Sequence, residues 1–336
     1  MANSGRLQVD VLNIPHLERL WSRVTRRSSA GPLHPREWIF DKLTIHGLGL
    51  SLEETLEYLG RETPTLEAFQ HWIIEKSNGK LDLSQTQRIN AALSGSKYSS
   101  RAGCALDASG PVLTEDDLRF WDENGFVVVH EAVDAKHCEA AAQAVWTHLR
   151  MQPSDPDSWY SKPRDRNIMV QLFHHPALDA NRRSPRIQKA FAQLWGTTEL
   201  WVSIDRVSFN PPERSDWRFP GPRLHWDTTL AQPIPFSLSG ILYLTDTVAE
   251  QGAFTCVPGF HRRIVNWLDS LPADADPREQ DLYALGAQPI AGKAGDLVIW
   301  HEALPHGSSP NCATQPRIVQ YITMYPASAE YNRVWR

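Results

Sequence analysis

Cysteine is scarce. Cys104, Cys138, Cys256 and Cys312 are the only thiols in 336 residues, and no two of them form a C-x-x-C pair. Such scatter excludes a disulfide framework or a zinc finger and points to reduced thiols in a cytoplasmic protein. Long apolar runs are missing as well. Stretches such as Ile241 to Leu244 fall far short of the ~20 residues that a spanning helix needs. Residues 1–10 are polar and lack the apolar centre of a secretory signal. Positive charge is not in excess: 34 Lys and Arg stand against 39 Asp and Glu, a net charge of −5. That argues against a nucleic-acid surface as the main business of the chain. No phosphate-cradling glycine loop, internal repeat or low-complexity tract occurs. What remains is an ordinary globular composition, 41% hydrophobic and 22% charged, long enough for a large core and about two domains. Tryptophan is plentiful at 13 residues, which suits large cores or ligand pockets.

The first hundred residues read as helical. Leu52, Leu56 and Leu59 fall at helical spacing with Gly60 as a stop. Thr63 and Pro64 suit a first turn, and the stripe Leu66, Phe69, Ile73 and Ile74 carries that helix to Asn78-Gly79. Ser84 is placed to cap a further helix through Ile89 and Leu93, closed by Gly95. Between Ser94 and Pro111 the composition shifts to Ser, Gly and Ala, as in a linker. Thr114 and Asp117 form a capping-box pattern for a helix ending at Gly125. The β-branched run Phe126 to Val129 predicts a buried strand, and Asp134 starts an alanine-rich helix through Leu149. From Leu200 the texture changes to short β-rich runs: Leu200 to Phe209, Gly240 to Leu244, Ala253 to Val257, Asp296 to Trp300 and Arg317 to Tyr325. Gly and Pro clusters separate them, the pattern of a sandwich or barrel.

Three histidines are followed two residues later by a carboxylate: His16 with Glu18, His137 with Glu139, and His225 with Asp227. In a helix, residues i and i+2 do not face each other; in a strand they share a face. The first two pairs lie in helical stretches and His225–Asp227 in the β-rich half, so only the last can aim two side chains at one point. Two histidines and one carboxylate, with open positions, form the site at which non-haem Fe(II) activates oxygen. The second histidine must come from elsewhere. His261, His301 and His306 are the downstream candidates, and residue chemistry alone leaves His301 and His306 both open.

The second half of the chain resembles the phytanoyl-CoA dioxygenase family of Fe(II)- and 2-oxoglutarate-dependent oxygenases. The stretches that carry the resemblance are Leu224 to Asp227, Leu242 to Asp246, Gly252 to His261, Gly295 to Trp300, Leu304 to Asn311, and Pro316 with Arg317. Leu113 to Val129 is similar to the family's first helix and strand, and the whole spans about Val112 to Pro326. The resemblance implies iron ligation by His225, Asp227 and His306. It implies that Arg317 binds the far carboxylate of 2-oxoglutarate through its planar fork, with Ser308 beside it and Gln171 as a further polar contact. His301 and His261 become structural. Arg206, Arg214, Arg218 and Arg223, which flank the approach to His225, read as a solvated rim.

The resemblance also implies a mainly β fold with flanking helices: a double-stranded β-helix, or jelly-roll, over 111–336, behind a helical region at 1–110. The cofactors are Fe(II), 2-oxoglutarate and O2. A small organic metabolite or acyl compound would be hydroxylated with release of succinate and CO2. Related halogenases lack the ligand carboxylate, so Asp227 favours hydroxylation, desaturation or ring closure over halogenation. Two other classes compete: a redox-neutral cupin-like metal protein, whose usual second histidine is absent here, and a binding protein that has lost catalysis. The N-terminal helices hold no ligand-spaced set and suit packing, self-association or partner docking.

Overall fold

Helix boundaries follow from side chains that satisfy the first free N–H groups. A computed structural model describes residues 12–26, 34–77, 81–96, 110–160, 168–330, 332, 334 and 335. Among the described residues, five helices precede residue 100: α1 (Pro15–Thr25), α2 (Glu37–Gly47), α3 (Leu52–Glu62), α4 (Leu66–Lys76) and α5 (Leu83–Leu93). Ser51 caps α3, which runs through Gly60 instead of stopping there and ends on a left-handed Thr63. Thr65 caps α4, so Thr63 and Pro64 precede its first turn, and Asp82, not Ser84, caps α5 through the Gln85 N–H. Asp wins because its side chain sits at the extended residue before the helix, whereas Ser84 lies inside the first turn. Most of the Ser94–Pro111 linker and the Asn78-Gly79 stop lie outside the described residues.

α6 (Glu115–Asn124) has the capping box on Thr114 and Asp117 and ends on left-handed Gly125. It leads into β1 (Phe126–Val129), α7 (Ala135–Leu149), β2 (Met169–Val170), α8 (Pro176–Arg182) and α9 (Pro185–Trp195). Then come β3 (Leu200–Val202), β4 (Val207–Asn210), β5 (Leu238–Tyr243), β6 (Phe254–Cys256), α10 (Ile264–Ser270), β7 (Gln288–Ile290), β8 (Leu297–His301), β9 (His306–Ser308), β10 (Arg317–Tyr321) and β11 (Met324–Pro326). The pairing is antiparallel throughout. One sheet has the order β1-β8-β5-β10-β4-β2, a second β7-β6-β9, and β11-β3 form a two-stranded ribbon.

The period-2 alternation of the large sheet divides two cores. Val127, Leu242, Leu297, Ile299 and Ile318 face one way, against Cys138, Ala141 and Val145 of α7 and Ile187 and Phe191 of α9. Phe126, Ile241, Tyr243, Val298, Trp300 and Val319 face the other way, against Phe254 and Cys256 of the small sheet. The chain is thus mixed helix and sheet and not mainly β: a two-faced sheet needs cover on its outer side, and helices supply it. A third core joins α1 to α5 with Trp201 of β3 and Tyr325 of β11. Gly47 is required at that junction, because a Cβ there would come within 2.6 Å of Ile89 and 2.9 Å of Trp201.

Candidate metal and cosubstrate centre

The centre lies between the two sheets, where the segment after Pro222 runs along the free edge of β9. His225 and His306 are direct antiparallel partners: the His225 N–H donates to the His306 carbonyl at 2.9 Å, and the His306 N–H returns to the His225 carbonyl at 3.0 Å. That pairing brings their ring centroids to 4.9 Å. Gly307 permits it, since a Cβ there would lie 2.6 Å from the Arg223 carbonyl. Asp227, two residues after His225, turns the same way. Its carboxylate oxygens lie 3.4 Å from His225 Nε2 and 3.3 Å from His306 Nε2. Trp226 points away and donates from Nε1 to the Ala303 carbonyl at 3.0 Å. Arg278 holds the loop, donating to the Trp226 and Thr228 carbonyls at 2.9 and 2.8 Å on either side of Asp227.

Each histidine spends its other ring nitrogen on the backbone. His225 Nδ1 lies 2.7 Å from the Arg223 carbonyl, and His306 Nδ1 lies 3.0 Å from that of Leu304. Such contacts place the proton on Nδ1 and leave the Nε2 lone pairs facing Asp227, the usual orientation of metal-bound imidazole. One donor atom from each of the three residues lies within 4.8 Å of the others. Burial opposes ionisation of Asp227, yet the two histidines hold its carboxyl well below the usual range. Burial likewise opposes a charged His225, but the Asp227 carboxylate outweighs it and raises the imidazole pKa. Paired imidazoles around a carboxylate are the donor set that Fe(II) takes.

A cavity of about 320 Å³ opens in front of these atoms. Ile241, Phe254 and Trp300 form its apolar wall; Asp205, Arg206, Ser239, Tyr321 and Thr323 form much of its polar one. Ser308 lines it, and behind Ser308 lies Arg317, 0% exposed at the start of β10. The guanidinium donates to Ser308 Oγ at 3.0 Å and Ser208 Oγ at 2.7 Å, and no polar partner meets its Nε among the described residues. Burial lowers the Arg317 pKa, with Tyr321 and Tyr243 opposing the shift. No described carboxylate pairs with it, so a buried cation awaits an anion.

The structure therefore gathers His225, Asp227, His306, Ser308 and Arg317. It does not bring in Gln171. β2 ends at Val170, the Leu172 N–H turns back to the Val170 carbonyl at 2.8 Å, and Gln171 is exposed while Met169 lines the cavity. His301 faces away: its ring lies 5.1 Å from Phe236 and 5.4 Å from His261, and its Nδ1 accepts the Ala303 N–H at 3.0 Å. His261 reaches the Asp122 carbonyl at 3.1 Å and fixes a turn. Arg206, read in the sequence as part of a solvated rim, instead lines the cavity and pairs with Glu53 of α3. Ser208 was also missed; only the register of β4 against β10 places it beside Arg317.

The sequence model described as Phytanoyl-CoA dioxygenase (PhyH) matches residues 121–319, more than half of the chain. The chain belongs to that family. All three candidate ligands, Ser308 and Arg317 lie inside the matched span. The family makes it a non-haem Fe(II)- and 2-oxoglutarate-dependent dioxygenase. A putative phytanoyl-CoA dioxygenase of Dictyostelium discoideum is 21% identical over 261 residues, 62% of this chain and 74% of that protein. An ectoine dioxygenase of Bordetella bronchiseptica is 23% identical over 235 residues, 61% of this chain and 73% of that one. Among solved structures, EctD from S. alaskensis with bound Fe gives a TM-score of 0.49 at 19% identity, covering 67% of this chain and 80% of that one. HygX from Streptomyces hygroscopicus with nickel and 2-oxoglutarate gives 0.46 at 17%, covering 64% and 87%. No helix among the described residues is long and apolar enough to cross a membrane.

Proposed function

We propose that His225, Asp227 and His306 hold the Fe(II), that Arg317 and Ser308 receive the far carboxylate of 2-oxoglutarate, and that the enzyme hydroxylates a C–H bond of a small organic or acyl substrate. The observation that carries this reading is the conjunction of three facing donors with a buried guanidinium, paired with no described carboxylate, one serine away. Bound Fe(II) supplies the oxygen chemistry, in which substrate, 2-oxoglutarate and O2 give hydroxylated substrate, succinate and CO2.

The chain's own residues bind, orient and exclude. His225 and His306 keep their protons on Nδ1, held by backbone carbonyls, so that Nε2 is free to coordinate. Asp227 stays ionised over the working range and occupies the ligand position that a halogenase would leave open, which favours hydroxylation. The flat fork of Arg317 matches a carboxylate edge-on, as lysine cannot. Ile241, Phe254 and Trp300 keep bulk water from the reacting region. We also read the large and small sheets, packed over one shared core, as a double-stranded β-helix; antiparallel pairing throughout and a site between the sheets support that topology.

The test is coupled turnover: 2-oxoglutarate-dependent succinate formation with stoichiometric O2 uptake across a metabolite library, with bound metal measured on the same protein. Iron binding without any succinate release would leave a redox-neutral metal protein as the better account.

A further inference from the structure

A second cavity, of about 470 Å³, shares Asp227 with the first. Asp227 and Thr323 line both cavities, so the two spaces adjoin at these residues. The walls differ in origin. The metal and cosubstrate residues all fall within 121–319, the span the family shares. The second cavity takes Trp38 and Lys42 from α2, Tyr325 from β11, and Trp335, all outside that span, with Trp195 and Glu302 from inside it.

The charges in this cavity are unequally committed. Both Glu302 carboxylate oxygens accept hydroxyl protons, from Ser237 at 2.5 Å and Ser239 at 2.7 Å. Asp227 belongs to the two histidines, and Glu330 is exposed at the rim. Lys42 has no such tie. Its ammonium stands 4.4 Å from the centre of the Tyr325 ring, with no hydrogen-bond or ion-pair partner among the described residues. Burial pulls its pKa down even though Glu302 pulls the other way. Beside it His46, in contact with the Tyr325 hydroxyl at 2.8 Å, is pushed down to about 3 by burial and by the charges of Lys42 and Arg182. Lys42 is the one cation among the described residues that line this cavity, and the surface around its ammonium is aromatic.

We propose that this second cavity holds the substrate, and that Lys42 binds an anionic group on a molecule whose apolar body lies against Trp38, Trp195 and Trp335. An organic anion of that kind satisfies the ammonium, covers the indoles and presents its oxidisable carbon at the Asp227 edge of the iron site. The N-terminal helices then contribute specificity, although they contribute no ligand. The proposal rests on the reading of His225, Asp227 and His306 as the metal centre.

The test uses the full chain and two dyes that share an apolar body, 8-anilinonaphthalene-1-sulfonate, which is anionic, and N-phenyl-1-naphthylamine, which is neutral. Fluorescence titration of the wild type is expected to show saturable binding of both. Lys42→Met is expected to weaken the anionic dye roughly ten- to hundredfold, the loss of one charge-assisted contact, and to leave the neutral dye unchanged. Lys42→Arg is expected to retain the anionic dye. Calorimetric binding of Fe(II) and 2-oxoglutarate on the same proteins separates the two readings. A wild type that binds neither defeats the metal-centre assignment. A wild type and a Lys42→Met protein that bind both normally, with the anionic dye indifferent to the substitution or both dyes weakened equally, overturn the substrate proposal; so does a wild type that takes up iron and 2-oxoglutarate but no anionic dye.

Discussion

Arg317 holds a full charge at 0% exposure, steadied by two serine hydroxyls and no described carboxylate. Burying an unpaired charge is costly, and the cost is offset if an anion completes the site. Arg317→Lys keeps the charge but loses the fork, so 2-oxoglutarate binding is expected to weaken by ~1.5–3 kcal/mol, about ten- to a hundredfold. Calorimetry with Fe(II) and 2-oxoglutarate should show this with iron affinity kept; an unchanged 2-oxoglutarate affinity would remove Arg317 from the cosubstrate site. The two distal histidine candidates separate in the same way. His306→Ala is expected to abolish iron binding by metal analysis, and His301→Ala to retain it, because the His301 ring is engaged with Phe236 and the Ala303 N–H. The reverse result would exchange their roles. Asp227 was legible because two residues of extended chain share a face. The choice between His301 and His306 was not, because five residues apart and each at a strand end they look alike in sequence. Only the cross-strand partner of His225 distinguishes them, and pairing across 81 positions (306 − 225) leaves no local trace. Lys42 was silent for the same reason: its meaning depends on Tyr325, far along the chain.

Helix caps were legible in part: a capping side chain and the N–H groups it satisfies are neighbours in sequence, but nearby candidates compete, and Asp82 takes the place expected of Ser84. Thr114 with Asp117 and the left-handed Gly125 stand where the pattern put them. Strand breaks were hidden. The runs Leu200 to Phe209 and Arg317 to Tyr325 each read as one strand, but each divides and sends its parts to two sheets. The bends at 203–206 and 322–323 contain no Gly or Pro; instead the Ser203 N–H donates to the Thr323 carbonyl at 2.9 Å, so each bend holds the other. Among the helices, α1 and α2 are joined by buried charge. Arg19 meets Glu37 with two 2.7 Å hydrogen bonds, while His16 and Arg23 meet Asp41. His16, Glu37 and Asp41 have the spacing of a metal site, yet the two arginines already satisfy the carboxylates, which suits an ion-pair network. Burial pushes the Glu37 carboxyl up, but Arg19 and the His34 N–H prevail and hold it at about 2. A carboxyl depressed on folding stabilises the folded state above its ordinary pKa near 4.5 and loses that contribution as the pH falls toward 2. The contribution is about 3 kcal/mol. Urea melts of the wild type are expected to show stability falling between those limits, and Glu37→Gln to be weaker at pH 7 with a flatter acid limb. Parallel acid limbs would place the sensitivity elsewhere.

At the scale of the whole molecule, the helices before residue 110 and the sheets after it are not two independent bodies. The helices before it share a core with Trp201 and Tyr325, and Arg88 both stacks on Trp201 at 4.1 Å and donates to the Leu200 carbonyl at 2.6 Å. Glu53 meets Arg206 at the first cavity, and Trp38 and Lys42 wall the second one. The sequence showed no sign of a ligand-spaced set in these helices, yet folding brings His16, Glu37 and Asp41 together at metal-site distances. Nor could the sequence show what their apolar faces cover, because an amphipathic stripe records that a face is buried and not against what. A chain beginning at Pro111 would expose Trp201 and Tyr325, and fully burying each such side chain contributes about 1.5–3 kcal/mol. That truncation is expected to aggregate or melt well below the full chain. Trp201→Ser with Tyr325→Thr should relieve the exposed patch and return a soluble protein, because both positions lie on the two-stranded ribbon outside the large sheet. The repaired truncation still holds every proposed ligand between His225 and His306, so it is expected to bind one iron by metal analysis while binding the anionic naphthalene dye poorly for want of Lys42. A soluble, folded truncation without iron would show that the N-terminal helices shape the metal centre itself.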